Sequence, residues 1–140
     1  MHKEMSVIEQ LKAAGHRITL ARRHIAEVLE ANTRPLSAQD VHALLKRRGV
    51  ESNRTTVYRE LTFLHERGFL RQIQLEDGTA RFELASLPHH HHLVCLRCNK
   101  IEDIHMEDDL VAVEKRIKKQ RRFTVERHSL EFYGRCSSCR

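Results

Sequence analysis

Along the first half of the chain, apolar residues recur at a helical period. Val7, Ile8, Leu11 and Ala14 share one face, and Gly15 stops that run. Thr19 is placed to cap a second helix whose inner face is Ile25, Val28 and Leu29, with Asn32 and Pro35 ending it. Ser37 followed by Asp40 reads as a capping box. It opens a third helix carrying Val41, Leu44 and Leu45, which breaks at Gly49. Asn53 is placed to cap a fourth helix over residues 54–67, with Val57, Leu61 and Leu64 inward and Gly68 as its terminal signal. The period then changes. Residues 70–75 alternate, Asp77-Gly78 makes a hairpin turn, and Ala80, Phe82 and Leu84 alternate on the return. Helices followed by a two-stranded hairpin make a winged helix-turn-helix, whose fourth helix enters a major groove while the third crosses the backbone.

On that fourth helix Arg54, Thr55, Thr56, Tyr58 and Arg59 lie near the N-terminal end and off the Val57/Leu61/Leu64 stripe. Recognition helices carry their base-reading and phosphate-binding groups there. Arginine can fork onto guanine, and a tyrosine can touch a thymine methyl or donate to a phosphate. Residues 85–88 read as a hinge, dividing the chain into 1–84 and 89–140. Beyond the hinge, residues 89–94 suit a strand, on which His90 and His92 point to one face and His89 and His91 to the other. One strand can thereby feed two sites. Residues 100–104 read as its returning partner. An amphipathic helix follows over 108–122, with Leu110, Val113 and Ile117 inward, and residues 123–125 and 129–133 complete a small sheet. The fold class expected is α+β, a winged helix-turn-helix domain followed by a small α/β domain.

The cysteines add a chemistry. All four of them fall in two Cys-x-x-Cys pairs, Cys95/Cys98 and Cys136/Cys139. Tetrahedral Zn²⁺ takes four thiolates, and a two-residue gap lets one turn present two of them, so the pairs predict a closed structural zinc site. No apolar signal segment precedes Met5 and no run approaches a membrane span, so a reducing cytoplasm without membrane association is expected. The net charge of +6 favours nucleic acid over acidic partners only weakly. Enzymatic readings fare poorly. Thiol–disulfide exchange lacks the βαβ context, and a zinc deaminase would need His-x-Glu before Pro-Cys-x-x-Cys.

The segment Ala14-Gly15-His16-Arg17-Ile18-Thr19-x-x-Arg22, the segment Thr56-Val57-Tyr58-Arg59, the histidine run and the two cysteine pairs, in this order, resemble the ferric uptake regulator (Fur) family. The resemblance runs from about Leu11 to Cys139. It implies a metal-activated repressor that binds double-stranded operator DNA as a homodimer and controls iron or zinc homeostasis. By that resemblance Arg17 reaches a minor groove, and Tyr58 and Arg59 contact DNA. Ala21 stands where family members often carry proline.

Three metal sites are expected. The first is the structural zinc on Cys95, Cys98, Cys136 and Cys139. The second, a regulatory site for Fe²⁺, Zn²⁺ or Mn²⁺, would combine His90 and His92 with Glu83 before the hinge and Asp103 on the next strand. Mixed nitrogen and oxygen donors hold such ions reversibly. Many relatives add a histidine from the loop before the third helix, where this chain has Pro35; His42 and His65 are the available substitutes. A third site would use His89, His91 and His128 with Asp109 or its neighbour Asp108. There the family often has Asp at the place of His91, and Glu where this chain has Leu110. An iron-loaded His/Asp site sensing peroxide is the alternative function.

Overall fold

The helix starts expected at Thr19, Ser37 and Asn53 are each closed by that residue's side chain. In the computed structural model, which describes residues 5–107 and 110–140, α1 spans Val7–Ala13, α2 Leu20–Ala31, α3 Ala38–Arg47 and α4 Arg54–Glu66. Thr19 Oγ1 accepts from the Arg22 backbone N–H, and Asn53 Oδ1 accepts from that of Thr55 at 2.7 Å. Ser37 and Asp40 form a reciprocal capping box, and Ser6 with Glu9 forms another on α1. Gly68 takes a φ of +83° immediately after the α4 cap, a conformation that a side chain would strain.

These helices bury one apolar cluster. Leu11, Ile25, Val28, Val41, Leu45, Val57, Leu61 and Leu64 lie in it at essentially zero exposure. Strands β2 (Leu70–Gln74) and β3 (Ala80–Leu84) pair antiparallel, with Gln72 opposite Phe82, and Leu70 and Phe82 point into the same core. A further strand, β1 (Leu36–Ser37), pairs with β3, so the wing is a three-stranded sheet of order β1-β3-β2 rather than the two-stranded hairpin expected. Two residues carry too little alternation to announce a strand.

The chain divides into two compact units, Met1–Leu87 and Pro88–Arg140. In the second, β4 (His91–Cys95) lies between β5 (Ile101–Ile104), antiparallel, and β6 (Glu131–Gly134), parallel. Helix α5 spans Val111–Arg121 between β5 and β6, and a 3₁₀ turn covers Ser137–Cys139. Two expectations change here. Residues 123–125 form no strand. Helix α5 has no buried side chain: Val113, expected inward, is 43% exposed and Val111 48%. Among the described residues, Cys95 is this unit's sole buried hydrophobic side chain, and its other buried groups are His90, His91 and His92. A small domain with so little apolar burial needs a further source of stability, such as a bound metal or a second subunit. Among the described residues, no helix is long and apolar enough to cross a membrane.

Candidate metal centres and nucleic-acid interface

Cys95 ends β4, and the chain turns sharply behind it. Asn99 adopts a left-handed φ of 62° and donates its backbone N–H to the Cys95 carbonyl, while the Cys95 N–H donates to Lys100 O. This knuckle presents Cys98 beside Cys95. The backbone N–H of Cys136 points at Cys95 Sγ (3.4 Å), the N–H of Cys139 donates to Cys136 O, and the four sulfurs all lie within 4.8 Å of one another. Cys98 Sγ and Cys136 Sγ are 3.7 Å apart, and all four cysteines are unbridged. A tetrahedral dication with Zn–S bonds of about 2.3 Å requires sulfur separations near ~3.8 Å. The donor set fits zinc. Backbone N–H groups of Cys98 and Cys136 hold the Cys95 thiol down to about 6, whereas hydrogen bonding with Cys136 and Cys98 pushes Cys139 up to about 12. Binding of a metal by four sulfurs requires thiolates and would release any protons that they carry.

β4 begins at His91 rather than at residue 89 as expected, so His89 and His90 lie just ahead of it, yet the four histidines still separate by residue parity. The rings of His90 and His92 approach to 4.8 Å between centroids, and so do those of His89 and His91. On the first face, β4–β5 register sets Asp103 opposite His92, with its Oδ1 3.8 Å from Nε2 of both His90 and His92. The Pro88 carbonyl accepts from His90 Nδ1 at 2.7 Å, which fixes the tautomer whose Nε2 lone pair faces Asp103. His105 adds a ring 5.9 Å from His90, a neighbour that sequence reasoning missed.

On the opposite face His128 joins His89 and His91, as expected; Asp109, the expected carboxylate, and Asp108 lie outside the described residues. Glu114, on the first turn of α5, meets His128 Nδ1 at 2.6 Å. Sequence reasoning passed over it. Its position one turn beyond Leu110 is the signal that could have found it, since residues four apart share a helix face.

Within the first unit, Glu83 is buried on β3 and pairs with Arg71 of β2 at 3.5 Å. Pro35 is fully buried and offers no donor atom. The two candidate replacements are engaged elsewhere: His42 Nδ1 lies 2.9 Å from Ser52 Oγ, and His65 Nδ1 lies 3.2 Å from the Leu70 carbonyl.

The face of α4 is divided as the sequence suggests. Arg54, Thr55, Thr56, Tyr58 and Arg59 are exposed around a buried Val57, with Tyr58 59% exposed. Arg17 is exposed on the segment before α2. Arg22 ties that segment to α4: it donates to Arg17 O (2.8 Å) and to Glu60 Oε2 (2.9 Å), and its guanidinium lies 3.9 Å over the Phe63 ring. This clamp also went unread in the sequence.

A model of the ferric uptake regulator family matches residues 13–133. The chain belongs to the ferric uptake regulator family. It is 34% identical over 138 residues to the ferric uptake regulation protein of Neisseria meningitidis serogroup C, covering 98% of this chain and 95% of that one. Among solved structures, the ferric uptake regulator of Vibrio cholerae superposes with a TM-score of 0.80 at 34% identity, covering 91% and 97% of the two chains. The Francisella tularensis regulator with iron gives 0.79 at 30% identity, covering 89% and 95%. The mixed helix-and-sheet architecture expected from the sequence is that of the family. This Fur-family chain is thus a metal-responsive, DNA-binding transcription regulator and not an enzyme.

Proposed function

We propose that this Fur-family regulator represses transcription as a homodimer on double-stranded operator DNA when a reversibly held metal occupies its regulatory site. The observation that carries the reading is the sorting of four consecutive histidines, at the start of β4 and just ahead of it, into two imidazole clusters, apart from the four-sulfur cluster. In this reading Cys95, Cys98, Cys136 and Cys139 hold a structural zinc. His90, His92 and Asp103 hold the regulatory Fe²⁺, Zn²⁺ or Mn²⁺; iron is the metal of the Francisella relative. His89, His91 and His128 form the third site. A bound dication would supply the positive charge that draws buried imidazoles and carboxylates into one fixed arrangement.

The exposed groups of α4 (Arg54, Thr55, Thr56, Tyr58 and Arg59) meet DNA at the major groove, Arg59 on a phosphate, and Arg17 enters an adjacent minor groove. Dimerisation is supported by the uncovered apolar side chains of the second unit: Val111, Val113, Phe123 and Phe132 are each more than two-fifths exposed. We place the protein in the cytoplasm, where its DNA is. Peroxide sensing gains no observation over this reading.

The test is metal content per subunit before and after mild chelation, paired with binding to operator DNA. Retention of one zinc, with joint loss of the second metal and of DNA binding, is expected. Unchanged DNA binding after the second metal has gone would overturn the proposal.

A further inference from the structure

We propose that Glu114 is the positioning residue of a three-imidazole metal site formed by His89, His91 and His128, acting from outside the donor shell through His128. The inference rests on the third site of the reading above and assigns it a donor set, an orienting group and a metal preference.

The three rings already stand as ligands of one ion would. Their centroids are separated by 4.8 Å (His89–His91), 4.9 Å (His89–His128) and 5.2 Å (His91–His128). Imidazoles bound at about 2.05 Å around a tetrahedral ion have donor nitrogens ~3.3 Å apart and ring centres ~5 Å apart. The His89 and His128 Nε2 atoms lie 3.2 Å apart. His91 and His89 come from two successive positions of one face of β4 and its lead-in, and His128 comes from the segment ahead of β6, so three points of the chain meet there.

Glu114 makes that meeting chemically competent. A carboxylate only accepts, so the 2.6 Å contact with His128 places the proton on Nδ1 and the lone pair on Nε2, the atom turned toward His89. The same contact fixes the ring of His128, as a carboxylate behind a metal-bound histidine does generally. The helix holds the carboxylate in place. Glu114 sits in the first turn of α5, where its charge suits the helix dipole, and its own backbone N–H donates to Leu110 O at 2.9 Å. Among the described residues the inner donors are imidazoles and the negative charge lies one layer out, a set that favours borderline ions such as Zn²⁺ or Co²⁺ over the harder Mn²⁺.

The test uses the full-length protein retaining its chelator-resistant zinc, titrated with Zn²⁺ or Co²⁺ against a chromophoric chelator. His91→Ala and His128→Ala should each lose one ion per subunit. Glu114→Ala should keep that ion but bind it roughly 10–100-fold more weakly, with Glu114→Gln between it and the parent. The cobalt absorption band should keep its energy in Glu114→Ala, and the ¹⁵N imidazole spectrum of the apo-site protein should show His128 losing its fixed Nδ1–H tautomer. Unchanged affinity and tautomer in Glu114→Ala, with the ion still lost in His91→Ala, would reduce Glu114 to a surface ion pair and overturn the proposal. A shifted cobalt band in Glu114→Ala would make Glu114 a ligand instead and overturn it equally. If His91→Ala bound as many ions as the parent, the third site itself would fall, and the proposal with it.

Discussion

Replacing Arg22 by methionine removes the clamp between the Arg17 segment and α4 while keeping an apolar stem against Phe63. Three contacts disappear: the hydrogen bond to Arg17 O, the ion-paired bond to Glu60, and the guanidinium–ring stack. Charged hydrogen bonds contribute about 1.5–3 kcal/mol when well buried. Here both side chains of the Arg22–Glu60 pair retain 17% exposure, so solvent screening reduces each bond to about 1 kcal/mol. The ring contact adds about 0.5–1 kcal/mol, for a total destabilisation of about 2–3 kcal/mol. Urea unfolding followed by helical ellipticity reads this directly, because among the described residues four of the five α-helices belong to the first unit. Glu60→Gln completes a double-mutant cycle, in which a coupling of about 1 kcal/mol is expected. Operator affinity should fall severalfold through the loosened Arg17, with the salt dependence unchanged, since Arg22 itself meets no phosphate in the proposed interface. A destabilisation below about 0.5 kcal/mol, or strict additivity with Glu60→Gln, would refute the clamp.

Three further outcomes are expected. Cys95→Ser should release the structural zinc and unfold the second unit, seen as lost zinc by elemental analysis together with a monomeric sedimentation profile; a folded dimer without zinc would contradict the site. Arg59→Ala should weaken binding to all DNA sequences alike and reduce the magnitude of the salt slope by about 1, the signature of a phosphate contact; a sequence-selective loss would instead place Arg59 on a base. Asp77 is held down to about 2 chiefly by the paired hydrogen bonds from Arg81. Its folded pKa lies below the ordinary 3.8, so its contribution to the wing is present above that value and fades as pH falls toward 2. Carboxyl NMR of Asp77 measures this, and a midpoint near the ordinary value would show that the fork does not hold in solution.

What could be read from the sequence was local. Thr19, Ser37 with Asp40, and Asn53 act on backbone groups two or three residues away, so their capping was visible in the spacing. The division of the histidines was also visible, because a strand alternates by residue number alone. The parts that escaped notice depend on distant partners. Leu36 and Ser37 become a strand only because β3 lies beside them. Residues 123–125 have strand-like composition yet find no ladder, whereas β6 gains its place from parallel pairing with β4. Leu110, Val113 and Ile117 are spaced as an inward helix face, yet Leu110 precedes α5 in a left-handed conformation and the helix buries no side chain. Arg22 with Glu60 and Glu114 with His128 are pairs across 38 and 14 residues, respectively, and no periodicity joins them.

The cysteine knuckle bears on how the second unit reaches its fold. Cys95 and Cys136 meet across 41 residues, enclosing β5, α5 and β6. Joining two points that far apart removes about 4 kcal/mol of chain entropy from the open state on the loop-closure relation. The parallel β4–β6 ladder is a slow, non-local pairing that forms only after those ends have been brought together. Zinc gathered by the four sulfurs would therefore set the order of assembly: refolding of this unit should be fast when the metal is present from the start and slow when it is added late.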